Sequence, residues 1–269
     1  MAGSSLVTDD VVTRLRAAGC VFAEEEAALL REAADGAALE PLLARRLAGQ
    51  PLEHVLGWAE LAGVRVAVGP GVFVPRQRSR VLVETVLDLL PEEVSGVVVE
   101  VCCGAAAVAT VVARARPRLE VWASDVDPTA VATARRNLAP DRVLRGDLLD
   151  GLPGALRGRV DVVVANAPYV PTGELDLMPV EAREHEPVHA LDGGPDGVDL
   201  HRRIAAEVGP WLRESGAVVV ETSRRQAAAT AAAFAVHGFA TRRRHDPEID
   251  GTAVVATRSA GATSTSRDA

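Results

Sequence analysis

Two runs of branched apolar residues, Val97-Val98-Val99 and Asp161-Val162-Val163-Val164-Ala165, constrain this chain more than any other feature. Neither alternates apolar with polar side chains, so a strand made from either is buried on both faces. Such strands belong inside a parallel sheet, and a parallel sheet needs helices on both sides. The neighbouring segments supply that order. Val97 to Val101 reads as a strand, Ala105 to Ala115 as a helix, Leu119 to Ser124 as a strand and Pro128 to Leu138 as a helix. Short strands follow at Val143-Leu144 and Val160 to Ala165. After a long insert, Pro171 to Pro195, come a helix from about Leu200 to Leu212, a strand at Ala217 to Glu221 and a helix at Gln226 to His237. Phe239 to Arg243 and Thr252 to Thr257 read as closing strands.

The first part of the chain has a different period. From Thr8 to about Leu47 apolar residues recur at helical spacing: Val11, Leu15 and Ala18, then Ala27, Leu30 and Ala34 after a break at Gly19, then Leu39 to Leu47. Gly57 to Pro75 is rich in Gly and near-alternating Val, which predicts a β-hairpin. Arg80 to Leu90 returns to a helix. The tail from Ser259 is a Ser, Thr, Gly and Ala stretch that reads as disordered.

Composition removes several chemistries. All 29 Lys+Arg residues are Arg. A Walker-A lysine, a Schiff-base lysine and a Ser-x-x-Lys nucleophile are therefore excluded. The net charge of −8 argues against a protein that coats nucleic acid. Three cysteines, Cys20, Cys102 and Cys103, form neither a disulfide framework nor a spaced zinc pattern, which fits a reducing cytoplasm. No signal peptide is read at the start. The apolar stretch Val97 to Ala113 is interrupted by Glu100 and a Cys-Cys-Gly turn and is not a membrane span.

Ligands of open α/β sheets bind at the carboxyl ends of the strands, and polar residues of this chain gather there. The first strand–loop–helix turn reads Glu100-Val101-Cys102-Cys103-Gly104-Ala105-Ala106. Its small residues admit a ligand close to the backbone, and Glu100 suits a nucleoside carrying a cationic sulphur. The alternative is a tight packing turn. The second strand ends in Asp125, placed to accept ribose hydroxyls, while Asp127 before Pro128 fits a helix N-cap. The third ends in Asp147-Leu148, an acceptor for an adenine amino group and an apolar side chain for its ring. The fourth ends in Asn166-Ala167-Pro168-Tyr169, which holds the chain's only tyrosine and one of its two asparagines. An amide oxygen, a backbone carbonyl and a ring at one strand end can grip a planar NH₂ group. A plain Pro-rich turn is the competing reading of that tetrapeptide alone.

Taken together, these residues resemble the HemK/PrmC family of S-adenosylmethionine-dependent methyltransferases, which methylate the side-chain amide nitrogen of glutamine in translation release factors. The resemblance runs from about Arg45 to Thr257. It is carried by Arg46-Leu47-Ala48-Gly49-Gln50-Pro51-Leu52, Phe73-Val74-Pro75-Arg76, Ala123 to Pro128, Asn166 to Tyr169, Glu186-Pro187 and Ala190 to Gly197. It implies a Rossmann-like class I methyltransferase sheet with helices on both faces, preceded by a small helical domain and a β-hairpin. The division it implies is a helical substrate-recognition domain at 1–56, a hairpin linker at 57–80, a methyltransferase domain at 81–258 and a tail at 259–269. It further implies S-adenosyl-L-methionine as cofactor, held by Glu100, Cys102, Cys103, Gly104, Ala105, Ala106, Asp125, Asp147, Leu148 and Asn166. The acceptor falls to Pro75, Arg76, Asn166, Ala167, Pro168, Tyr169 and Glu186. Within that set Asn166 to Tyr169 are the catalytic residues: Asn166 Oδ1 and the Ala167 carbonyl accept the two N–H bonds, and Tyr169 covers the amide plane. No general base and no metal are implied.

Departures from the family are concentrated in three places. Cys102 and Ala106 stand where the family has two of its three loop glycines. Ala167 replaces a proline. Gln77-Arg78-Ser79-Arg80 replaces a segment that is usually acidic. The acceptor is accordingly expected to be a protein glutamine, a release factor among the candidates. The alternatives are adenine N-methylation in a nucleic acid, a small-molecule acceptor, and a relative that binds cofactor without catalysis. Arg76, Arg78, Arg80 and Arg242 to Arg244 would contact phosphates in the nucleic-acid reading; the simpler reading is a solvated Arg surface. His185-Glu186-Pro187-Val188-His189 matches H-E-x-x-H, but Pro187 disfavours the single helix that a zinc pair requires.

Overall fold

The structure is a computed structural model that describes residues 9–258. Residues 1–8 and 259–269, which include Thr8 and the tail expected to be disordered, lie outside the described residues.

The N-terminal part folds as α1 (Asp10–Ala17), α2 (Ala23–Ala33), α3 (Leu39–Leu47) and the one-turn α4 (Leu52–Leu56). Leu15, Leu30 and Leu43 meet in a small core of their own. Sequence periodicity misses α4 because five residues span little more than one turn. Pro51 precedes it, and Gly57 ends it in a left-handed conformation. The hairpin is shorter than expected. Only β1 (Trp58–Leu61) and β2 (Val64–Ala67) pair, while Val72 and Val74 are buried outside any strand. α5 (Arg80–Leu89) follows.

From there β3 (Gly96–Val101), α6 (Ala107–Ala115), β4 (Leu119–Asp125), α7 (Pro128–Ala134), β5 (Val143–Arg145) and β6 (Val160–Ala165) alternate as the sequence predicts. The insert carries α8 (Val180–His185) and short 3-10 turns at Thr172–Leu177 and Val188–Ala190. α9 (Asp199–Glu207) stops before Gly209-Pro210, where a residue without an amide hydrogen cannot extend a helix. Leu212 therefore opens β7 (Leu212–Glu221) instead of closing the helix. α10 (Ala227–Ala235), β8 (Phe239–Asp246) and β9 (Gly251–Arg258) complete the chain.

The seven-stranded sheet has the order β5-β4-β3-β6-β7-β9-β8. β5 to β7 run parallel, and β9 and β8 are antiparallel. Val98, Val162, Val164 and Val219 face a core shared with α5, α6 and the hairpin. Val97, Val99, Val163, Val218 and Val220 face a second core with Ile204 and Phe234. This period-two division of unbroken valine runs is what two buried sheet faces require. Register then positions the site. Val101 pairs with Ser124 and Ala165, and Ala165 pairs with Val220. The residues that follow, Cys102, Asp125, Asn166 and Glu221, thus leave the sheet at one edge.

Candidate active site

The loop after β3 alternates left-handed residues: Cys102 (φ 51°), Gly104 (φ 53°) and Ala106 (φ 56°). Asp125 ties this loop to the next strand end. Its Oδ2 accepts the Gly104 N–H at 2.8 Å, and its Oδ1 accepts the Asp127 N–H at 2.9 Å. Burial raises the Asp125 carboxyl above the ordinary aspartate value. Asp127 caps α7 through the Thr129 N–H at 2.7 Å, as expected, and its carboxylate also meets His189 Nε2 at 3.2 Å. Glu100 is buried, with Oε2 accepting the Ala109 N–H at 2.7 Å. Its surroundings push the carboxyl up to about 8, chiefly by excluding water. The same burial raises both the Cys102 and Cys103 thiols, which disfavours the nucleophilic thiolate.

These groups converge on an open cavity. Glu100, Cys102, Cys103, Gly104, Ala105, Asp125, Asp147, Leu148 and Asn166 all line it, together with Pro75 and Pro168. Ala106 does not. It is fully buried and precedes α6 as its left-handed N-cap residue, so its part is to shape the turn. Asp147 is engaged as well as exposed to the cavity, because Arg203 of α9 spans its two oxygens at 3.2 and 3.0 Å. Small residues with the acids Glu100, Asp125, Asp127 and Asp147 around them suit a nucleoside bearing hydroxyls and a positive charge.

A second cavity also borders Asn166. Arg76, Arg78, Ala167, Tyr169, Met178 and Glu181 line it, and it shares Phe73, Asn166, Pro168 and Ala190 with the first. Asn166 Nδ2 donates to Ser79 Oγ at 3.1 Å, which leaves the amide oxygen free to face a ligand. The Tyr169 hydroxyl donates to Glu221 Oε1 at 3.1 Å. Burial, then the neighbouring Glu221, raise this phenol above its ordinary value, so it stays protonated. Glu186 belongs behind the wall. It lines neither cavity, and its Oε1 accepts the Val74 N–H at 3.2 Å and Arg76 Nη2 at 2.6 Å. It braces Phe73 to Arg76 and does not touch the space where an acceptor would lie.

Three contributors escape sequence reasoning. Ser79 reads as an ordinary helix start, Glu221 as the end of a strand, and Gln226 as the start of a helix. The available signal for Glu221 was its place after Val218-Val219-Val220, at the edge where the other polar strand ends lie. Gln226 Nε2 donates to the Tyr169 carbonyl at 2.8 Å and to the Asp196 carbonyl at 3.0 Å. The insert completes this support: Val170 N–H donates to the Leu191 carbonyl and Gly193 N–H to the Val170 carbonyl, at 2.9 and 2.8 Å.

The H-E-x-x-H pattern does not form a histidine pair on one helix. α8 ends at His185, Glu186 is extended, and His189 sits in the next 3-10 turn against Asp127. Several of the arginines considered for phosphate contact face acids instead. Arg76 meets Glu186, Arg78 meets Glu221, Arg80 meets Glu84, and Arg244 meets Glu84 and Asp88. Among the described residues no helix is long and apolar enough to cross a membrane.

The sheet order and its cleft define a class I methyltransferase fold, for which S-adenosylmethionine is the cofactor. A methyltransferase from Pyrococcus furiosus has the same architecture, with a TM-score of 0.54 at 17% identity over 80% of this chain and 96% of that one. The Methyltransferase small domain family matches residues 63–192. The release factor glutamine methyltransferase of Mycolicibacterium smegmatis is 41% identical over 218 residues, 78% of this chain and 75% of that protein. Its counterpart in Streptomyces coelicolor is 39% identical over 189 residues, 69% and 67% of the two chains. The chain belongs to the release factor glutamine methyltransferase family.

Proposed function

We propose that this chain methylates the side-chain amide nitrogen of a glutamine in a protein, and that the protein is a translation release factor. The observation that carries the reading is the meeting of two cavities at Asn166 and Pro168. One is built for a charged nucleoside, the other for a group gripped by an amide and an aromatic ring. The curated relatives that bear this name support the choice of acceptor.

S-adenosylmethionine, when bound, supplies a methyl group activated by a cationic sulphur. Glu100 would lie near the positive charge, Asp125 would accept ribose hydroxyls, and Asp147 with Leu148 would receive the adenine. On the acceptor side Asn166 Oδ1 and the Ala167 carbonyl would take the two amide hydrogens. That grip holds the nitrogen in line and stabilises positive charge as it develops there. Tyr169 stays neutral and offers a flat apolar face. No side chain needs to remove a proton before attack, because the alkylated nitrogen loses it readily.

The test is transfer of a labelled methyl group to a purified release factor, with the product located by mass spectrometry. The expected product carries one methyl on a glutamine side-chain nitrogen. A methyl on oxygen, sulphur or carbon, or on an RNA or DNA adenine in preference to protein, would end this reading.

A further inference from the structure

We propose that Asn137 is a positioning residue for the cofactor: its amide ties the hairpin to the loop after β3 and so fixes two walls of the first cavity against each other. Asn137 lies in the turn that follows α7 and is half-buried. Its Oδ1 accepts the Ala67 N–H at 2.7 Å, and its Nδ2 donates to the Ala67 and Ala105 carbonyls at 2.8 and 2.9 Å. Only one orientation of the amide can do this, because the N–H needs the oxygen and the two carbonyls need the two hydrogens. Ala67 is the last residue of β2, and Asn137 meets both of its polar groups as a neighbouring strand would. Shortly after it, Gly71, Val72 and Phe73 line the first cavity, and Gly104, Ala105 and Ala107 line the same cavity from the loop. Asn137 itself lines neither cavity. It acts through the backbone on both sides.

The same amide sets the shape of the loop. Ala106 is left-handed at φ 56°, a conformation that costs an L residue free energy and persists only where its surroundings impose it. Two peptide planes meet at Ala106, and both are tied. The plane before it has the Ala105 carbonyl on Asn137 and the Ala106 N–H on the Cys103 carbonyl at 2.7 Å. The plane after it gives the Ala106 carbonyl to the Thr110 N–H at 2.9 Å, the bond that opens α6. Without Asn137 the first plane keeps one tie of two, and Ala106 can relax out of the left-handed region. That swings the Ala105 carbonyl and displaces Gly104 and Ala105, which face the cavity. The loop then loses the shape that receives the cofactor, although no residue lining the cavity has been replaced.

The test is binding of S-adenosylhomocysteine to the full chain by titration calorimetry, which needs no methyl acceptor. We expect Asn137→Ala to bind it about tenfold more weakly, the weight of one left-handed residue. Ala106→Gly should restore most of that loss, since glycine enters the left-handed region without a steric penalty. The same substitution should gain less in the parent, where Asn137 already holds the turn. Asn137→Asp keeps the side-chain shape and the acceptor for Ala67 but loses both donors, and it should weaken binding as Asn137→Ala does, which covers the case where the alanine variant folds poorly. Ligand-free protein supplies a second readout. In Asn137→Ala the Ala67 and Ala106 amide hydrogens should exchange with water faster, by a larger factor than those of Val99 and Val163, which report on global opening. Unchanged affinity in either folded Asn137 variant, an equal gain from Ala106→Gly in both backgrounds, or a uniform rise in exchange across these four amides overturns the proposal.

Discussion

Left-handed backbone is the first thing to explain at the level of single residues. An L side chain resists it by about 1–2 kcal/mol, yet Cys102 and Ala106 adopt it beside Gly104. The tight loop tolerates two such residues because Asp125 and α6 hold it from both sides. A third should be felt directly. A Cβ at Gly104 would meet nothing within 4 Å, so Gly104→Ala isolates the backbone term. We expect it to lower stability by about 1 kcal/mol, read as a reduced urea midpoint. Glu100 gives a pH signature. Its carboxyl is held at about 8 in the fold, against an ordinary glutamate value of 4.5. The folded chain keeps this proton where the unfolded chain has lost it. The associated stability is therefore present in full below about pH 4.5 and is lost as pH rises through about 8, by an amount of order 4 kcal/mol. Glu100→Gln cannot titrate. Its stability relative to the parent should grow by that order between about pH 4 and about pH 9, and a constant difference across that range would refute the assignment.

Among the elements, the insert between β6 and α9 has the clearest structural task. Its Leu191 to Gly197 stretch lies against the backbone of Pro168 to Val170. A Cβ at Gly193 would sit 2.7 Å from the Pro168 carbonyl oxygen and 2.7 Å from Tyr169 Cα. Both are backbone atoms and cannot step aside as a flexible side chain would. Gly193→Ala should push the Pro168-Tyr169 loop out of place and reduce turnover strongly, with a smaller effect on cofactor affinity. Gly173→Ala, in the same insert with open space around it, is the control and should be near neutral. Equal turnover in the two variants would refute the support argument. This insert also marks the limit of what the sequence reveals. Unbroken valine runs declare buried parallel strands, and small or acidic residues after them declare the cleft edge, so the sheet and the position of Asp125 and of Asn166 to Tyr169 at that edge could be read in advance. The supports could not. Glu221, Ser79 and Gln226 are ordinary residue types at the ends or starts of elements, and only strand order and register bring them to Asn166 and Tyr169. Glu186 fails in the opposite direction: motif position suggested the acceptor site, but the fold turns its side chain behind the wall.

For the whole molecule, the arrangement separates two tasks across one short wall. The ends of β3, β4 and β5 line the first cavity, Asn166 and Pro168 after β6 border both, and Arg76, Arg78 and Tyr169 line the second. Binding and turnover should therefore separate in variants. Asp125→Ala removes an acceptor from the nucleoside side and also releases Gly104 and Asp127 N–H groups. It should weaken cofactor binding by about 1–3 kcal/mol, the cost of stranding buried polar groups. Asn166→Ala removes a group aimed at charge that develops only during transfer. It should lower kcat by about a hundred- to a thousandfold and leave cofactor affinity less changed. Titration calorimetry for binding and single-turnover transfer for chemistry read the two quantities independently. If Asp125→Ala binds cofactor as the parent does, Asp125 is only a loop brace. If Asn166→Ala loses affinity and turnover in equal measure, the wall between the cavities does not divide the work, because one residue would then be serving both sides at once.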